Sequence, residues 1–397
     1  MKPNVLNLTD FCKGLAIALV VLVHYRGGWF GWQGVHIFIV LSGLGLAYSC
    51  AKQPQTFSWV DWFIRRMRRV LPVYWIAVIF SFPLLAYLTT LNFAVTRTIL
   101  DFFLLTNVFE DFRGEATGAF WYIPFIIGAY LLFPILYNRF QKYSTWQGYS
   151  IILLITIAIE FIYRGIAIYY LDGLPIAHTD KFLDIFPTTV KALNHYPDWF
   201  FGFFQRRSPF GFILARIGEF TLGMVAGLVL AKNSNLFHKI IINPYMGWLG
   251  FLIWLGGQSL LYSGLWGWIF TDFVIALGMI LWIINLADFT HKKIPLLFKA
   301  VSLIGIWSYY IYLTHQPFTR LFPQIKHYIM PHDPNLLTDL LTEFLFLGTT
   351  LVTIYFASDL ARRFDQSKIP SKMIVQFTPM LNYLLAAFKK LWFAKNW

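Results

Sequence analysis

The chain has 397 residues, 58% of them hydrophobic and 20% aromatic, with 13% charged and a formal net charge of +13. A soluble domain carries about 25% charged residues, so the composition excludes an ordinary water-soluble protein. The excess of Lys and Arg is then tested first against the positive-inside rule, before any nucleic-acid surface is considered.

Apolar runs long enough to cross a bilayer, roughly 20 residues each, lie near 11–30, 33–51, 70–90, 119–137 and 149–170. Five more lie near 209–231, 244–262, 267–287, 300–320 and 338–360. The first is followed by Arg26, Gly27, Gly28 and Trp29 rather than a small-residue cleavage site, so it is expected to be a retained span. Residues 98–108 form an apolar piece about half the length of a span, expected to be re-entrant or interfacial. With ten crossings and the N-terminus inside, 21 of the 32 Lys and Arg fall on the inner side. An eleventh crossing at 98–108 would carry Arg139, Lys142, Lys292 and Lys293 outside and spoil that bias.

Residues 171–208 make a long outer segment dense in aromatics, including Trp199. Beyond the last span, apolar residues from Phe377 to Trp392 recur every three or four positions beside Lys389 and Lys390, which predicts an amphipathic helix on the inner membrane surface. The expected fold is therefore all-α: a polytopic integral membrane helix bundle of about ten transmembrane helices, plus a short re-entrant helix and a C-terminal amphipathic helix. Its units are a transmembrane domain over 1–360 and a cytoplasmic tail over 361–397. Cys12 and Cys50 lie in or beside apolar segments and imply no disulfide framework. There is no internal repeat, no Gly-rich phosphate loop and no zinc-type Cys/His spacing, so no metal is expected.

Lys13 and His24 stand out in the first span, "FCKGLAIALVVLVHY". Eleven helical steps bring them within roughly 20° of one face and about 16 Å apart along the axis. That places Lys13 at the inner boundary and His24 near mid-membrane. An ammonium at the inner surface can hold a phosphate, and an imidazole at depth can accept a proton from a hydroxyl. The separation is close to the reach of an extended pantetheine arm. The plainer alternative is an interfacial Lys anchor and a packed His, although ionisable groups inside a membrane raise functional suspicion.

The pattern of a basic residue, ten residues and a His resembles the start of the membrane acyltransferase-3 family. "GVHIFIVLSGLGLAYS" is similar to that family's second span through Phe38, Leu41, Ser42 and Gly43. "FIRRMRRVLPVYW" is similar to its Arg-x-x-Arg motif through Arg66 and Arg69, then Pro72, Tyr74 and Trp75. "FWYIPFIIGAYLLFPIL" and "RIGEFTLGMVAGLVL" resemble later spans, and "IGIWSYYIYLTHQPF" its Ser-Tyr-x-x-Tyr-Leu-x-His motif through Ser308, Tyr309, Tyr312, Leu313 and His315. The likeness runs from residue 8 to about 360. Two departures are present: His36 stands where many members have an acidic residue, and Ile126–Gly128 where many have Glu-Glu or Glu-Gln.

The resemblance implies an O-acetyltransferase that moves an acetyl group from cytoplasmic acetyl-CoA, the co-substrate, to a carbohydrate hydroxyl. The acceptor would be a surface polysaccharide, a lipopolysaccharide O-antigen or a lipid-linked sugar, and the site an integral protein of the bacterial inner membrane with both termini cytoplasmic. Its partners would be membrane lipids, acetyl-CoA and the carbohydrate, with no nucleic acid. His24 would be catalytic, either as a general base on the acceptor hydroxyl or by carrying the acetyl group itself, with Lys13, Arg66 and Arg69 on the CoA phosphates. An exporter of surface-glycan intermediates, or a glycan polymerase or ligase, is the competing reading.

Other residues carry open alternatives. Arg66 and Arg69 lie one turn apart and suit phosphate, yet four Arg in five residues also make an inner-side stop signal. Glu219 and Arg216 form either a structural ion pair or a device orienting His24 or the acceptor. His315, with Ser308, Tyr309, Tyr312, Thr314 and Gln316, suggests a wet cavity for the acceptor. His36 is expected to face His24 across the first two spans, and Asp272 and Glu160 show no evident partner in the sequence.

Overall fold

The computed structural model describes residues 5–26, 31–53, 58–107, 115–169, 211–263, 266–329, 336–367 and 369–370. The predicted outer segment 171–208 and the predicted amphipathic helix over 377–392 lie outside the described residues.

Among the described residues there are thirteen α-helices and no strand. In chain order they are α1 (Val5–Arg26), α2 (Gly34–Ala51), α3 (Trp59–Leu88), α4 (Leu91–Phe102), α5 (Tyr122–Lys142), α6 (Trp146–Tyr169) and α7 (Ile217–Lys232). Then follow α8 (Ser234–Ile241), α9 (Pro244–Leu261), α10 (Gly267–Lys293), α11 (Pro295–Ile306), α12 (Ser308–Ile329) and α13 (Leu336–Gln366). In hydrocarbon each backbone N–H and C=O must be paired within its own segment, which leaves the helix as the spanning unit here. Eight helices are long and apolar enough to cross, and the number rises to ten when each of two bent pairs counts as one span. The expected all-α, polytopic helical membrane bundle is what the described residues form.

Four boundaries differ from expectation. The third span begins before its apolar run: "FIRRMRRV" lies inside the 30-residue α3, which Ser58 caps by accepting the Asp61 N–H at 3.3 Å. Arg favours helix and its long stem lets the charge stay wet, so the span simply continues inward as helix. The short apolar piece begins earlier, as the 12-residue α4, and leaves the helix after Phe102. Two spans are broken: α8 and α9 meet at 59°, where Asn243 caps the new helix and Pro244 opens it, and α11 and α12 meet at 76° around Trp307.

Helices in lipid gain nothing from hiding apolar surface from one another, so close backbone approach through small residues does much of the joining. At the α2–α7 crossing a Cβ on Gly223 would fall 1.9 Å from the Val40 carbonyl oxygen, and one on Gly43 2.1 Å from that of Phe220. The α1–α11 crossing is equally tight, with Gly305 against the Asp10 carbonyl and Gly14 against that of Val301. Apolar side chains left outside the bundle, such as Phe80, Leu296 and Phe344, are exposed on the surface that lipid would cover.

Candidate active site

His24 lies in the last turn of α1, not at its middle; Lys13 is the nearer of the two to the helix midpoint. α1 starts at Val5, six residues before the apolar run read from the sequence, so the helix extends beyond that run on the Lys13 side. The eleven-residue separation along one continuous helix stands.

His24 Nδ1 is 2.7 Å from the Val20 carbonyl oxygen. A carbonyl only accepts, so Nδ1 carries the proton and Nε2 is the acceptor nitrogen of the neutral ring. His315 Nε2 lies 3.3 Å from the same His24 Nδ1, and the rings meet edge to face with centroids 4.9 Å apart. His315 is wholly buried. Its own Nδ1 donates to the carbonyls of Tyr312 (2.8 Å) and Ile311 (3.1 Å), so its Nε2 presents a lone pair to His24.

The elements around this pair are pinned from the 3-10 turn Glu115–Trp121. The Tyr312 hydroxyl donates to the Ala119 carbonyl, and the Ala119 N–H donates to Gln316 Oε1. That turn is held in its turn by Arg97, whose Nε is 2.9 Å from Asp101 Oδ2 and whose Nη2 donates to the Thr117 carbonyl at 2.9 Å. Tyr122 packs edge to face on Tyr312, and its hydroxyl is 3.4 Å from Ser42 Oγ. The polar side chains of α12 do not gather into one cluster. Ser308 is buried at the bend, Tyr309 donates to the Val70 carbonyl at 2.7 Å, Tyr310 reaches Asp365, and only Tyr312, His315 and Gln316 face the His pair and its turn.

Lys13 is half-buried and pairs with Asp10 at 3.0 Å, one turn away. Arg66 is half-buried with its guanidinium 5.5 Å from the centre of the Trp62 ring, whereas Arg69 is exposed. Arg69 also lies within electrostatic reach of Tyr309 and Tyr310 at the foot of α12.

His36 does not face His24. Its Nδ1 is 2.9 Å from Glu219 Oε2 and 3.0 Å from Arg216 Nη1, and its ring packs edge-on against Trp32. The reason is its helix: α2 lies along α7, so His36 meets the first turn of α7 rather than α1. Asp272 and Glu160 do have partners. Asp272 Oδ2 takes Arg164 Nη1 at 2.7 Å and Arg216 Nη2 at 3.1 Å, and Arg216 Nη1 reaches Glu219 Oε1 at 3.2 Å. Glu160 Oε2 accepts the Gly218 N–H at 2.8 Å, so a carboxylate caps the start of α7 where the helix dipole favours it. Arg164, inside the predicted span 149–170, is fully buried in α6. Glu219 and Arg216 thus belong to a buried ionic brace joining α2, α6, α7 and α10. The Arg216 guanidinium also lies 5.9 Å from the Trp121 ring, the brace's link to the turn beside the His pair.

Sequence reasoning missed Asp10, whose i, i+3 spacing to Lys13 was a usable signal. It also missed the contact between His24 and His315, for which the sequence holds no local sign.

A family model described as an acyltransferase domain matches residues 9–359. No curated protein and no solved structure matches the chain.

Proposed function

The chain belongs to the acyltransferase-3 family, and from that premise we infer that this integral membrane acyltransferase is an O-acetyltransferase of surface carbohydrate. The donor is acetyl-CoA and the acceptor a hydroxyl on a surface polysaccharide, an O-antigen or a lipid-linked sugar. The protein resides in a bacterial inner membrane with both termini cytoplasmic, as the excess of inner-side Lys and Arg supports.

One observation carries the chemistry. With its Nδ1 proton committed to the Val20 carbonyl, His24 offers Nε2 as a base, on the same helix face as Lys13 and about 16 Å from it. Lys13, Arg66 and Arg69 hold the CoA phosphates, and the thioester lies along the α1 face toward His24. Because Asp10 already pairs with Lys13, phosphate binding there exchanges one anionic partner for another. The acceptor hydroxyl gives its proton to His24 Nε2 as its oxygen attacks the thioester carbonyl. The C–S bond then breaks, and the proton passes to the thiolate of departing CoA.

Replacement of His24 by Ala in the native host tests this, with O-acetyl groups on purified surface glycans read by proton NMR. General-base removal lowers acetylation by roughly 10²–10⁴-fold. Equal acetylation in wild type and variant sinks the assignment, and intact acetylation with lost glycan export in a deletion strain favours an exporter instead.

A further inference from the structure

The geometry points to His315 as the positioning residue of His24, filling with a neutral imidazole the place that a carboxylate takes in a Ser-His-Asp arrangement. This rests on the reading of His24 as the base.

The buried carboxylates among the described residues, Asp101, Glu160, Glu219 and Asp272, are engaged elsewhere. Asp272 holds two guanidiniums, Glu219 holds Arg216 and His36, Glu160 caps α7, and Asp101 holds Arg97. The group that faces His24 Nδ1 beside the Val20 carbonyl is His315 Nε2, at 3.3 Å. His315 is itself fixed: its Nδ1 proton is tied to the Tyr312 and Ile311 carbonyls, and burial removes competing water. Its tautomer is therefore set by its own helix, with the lone pair turned toward His24.

The consequence appears when His24 Nε2 takes the acceptor proton. The ring becomes an imidazolium, and its Nδ1–H turns into a charge-assisted donor shared by the Val20 carbonyl and His315 Nε2. His315 neither gains nor loses a proton; it stabilises the charged ring and keeps Nε2 aimed at the acceptor. Because the helper is neutral, it brings no uncompensated buried charge with it, which a carboxylate at this wholly buried position would do in the resting state.

The test compares His315→Leu, which removes the acceptor, with His315→Gln, which keeps one near the same place. Native-host membranes holding the endogenous acceptor receive radiolabelled acetyl-CoA, and incorporation into glycan is measured against acetyl-CoA concentration and normalised to protein present. Loss of one hydrogen bond to a charged group predicts a maximal rate roughly 10- to 100-fold lower for His315→Leu. The KM for acetyl-CoA should stay within about twofold, since no ground-state contact to the donor is removed. His315→Gln should recover most of the rate. Should His315→Leu fail to accumulate in the membrane, His315→Phe serves as the second apolar variant.

A wild-type maximal rate in the apolar variant overturns the proposal, as does Gln performing no better than Leu, which would mark a packing role. His24→Ala runs in parallel. If it retains activity, the base assignment itself fails; if it is inactive while His315→Leu is normal, only the positioning role fails.

Discussion

Replacing Asp272 with Ala puts the buried ionic brace to the test. Asp272 Oδ2 holds Arg164 at 2.7 Å and Arg216 at 3.1 Å, and all three side chains are buried. Removing the carboxylate leaves two guanidiniums with one anionic partner fewer inside the bundle. Arg216 keeps Glu219 at 3.2 Å, and Arg164 keeps the carbonyls of Trp268 and Ile269 on α10. Breaking a buried pair by deleting one member costs about 3–5 kcal/mol. With an unfolding entropy of about 2.1 cal/mol/K per residue over the chain, that is a fall of about 4–6 °C in Tm. Cys12 and Cys50 are both free and buried, so a thiol-reactive fluorophore reports unfolding in detergent without any added probe site. Lys292→Ala is the control, because its ion pair with Asp288 at 2.6 Å is solvent-exposed and should matter by less than about 1 kcal/mol. Asp272→Ala melting with the wild type, or no lower than Lys292→Ala, would refute the claim that the brace holds α2, α6, α7 and α10 together.

Gly43→Ala should sharply lower the amount of folded protein, because its Cβ would fall 2.1 Å from the Phe220 carbonyl, while Gly45→Ala on the same helix meets nothing within 4 Å and should be silent; equal yields in a fluorescence-detected sizing assay would contradict the close α2–α7 crossing. Joint replacement of Arg66 and Arg69 by Gln should raise the KM for acetyl-CoA about tenfold or more with little change in maximal rate, as lost charge-assisted contacts to a ground-state phosphate would do. An unchanged KM would leave these arginines as a topological signal alone.

The polytopic helical bundle and the short α4 are legible in the sequence because they depend on the length of apolar runs. The shared face of Lys13 and His24 is legible because it depends only on the helical repeat. Pairings across the bundle are not. Glu160, Arg164, Arg216, Glu219 and Asp272 each announce an ionisable group inside a membrane, which requires a partner but does not say which. Asp272 finds Arg164 108 positions away, a relation set by how α6 meets α10. The misplacement of His36 has the same origin. Adjacent spans were expected to face each other at that level, whereas α2 turns His36 toward α7, which is far off in sequence and joined to it through glycines.

The broken span explains why His24 has a histidine beside it. Along the α1–α11 crossing, Val301 meets Gly14 and Gly305 meets Asp10, so α11 advances toward the N-terminal end of α1. The 76° bend at Trp307 ends that approach and turns α12 off the course of α11, and His315 touches His24, fourteen positions further along α1 than Asp10. A straight helix following the course of α11 would go on leading away from His24. The bend therefore lets one segment grip α1 at two levels, near Lys13 and again at His24, with the face that carries both residues between the grips. Hydropathy runs through this break without interruption, from "VSLIGIW" into "SYYIYL", because lipid selects for apolar side chains whichever way the helix axis points. What fixes the turn is contact: Gly305 has no Cβ to keep Asp10 away, and the Tyr309 hydroxyl donates to the Val70 carbonyl just past the bend. The residues that set the spacing of the site are thus a glycine and a tyrosine that lie outside the His24–His315 pair itself.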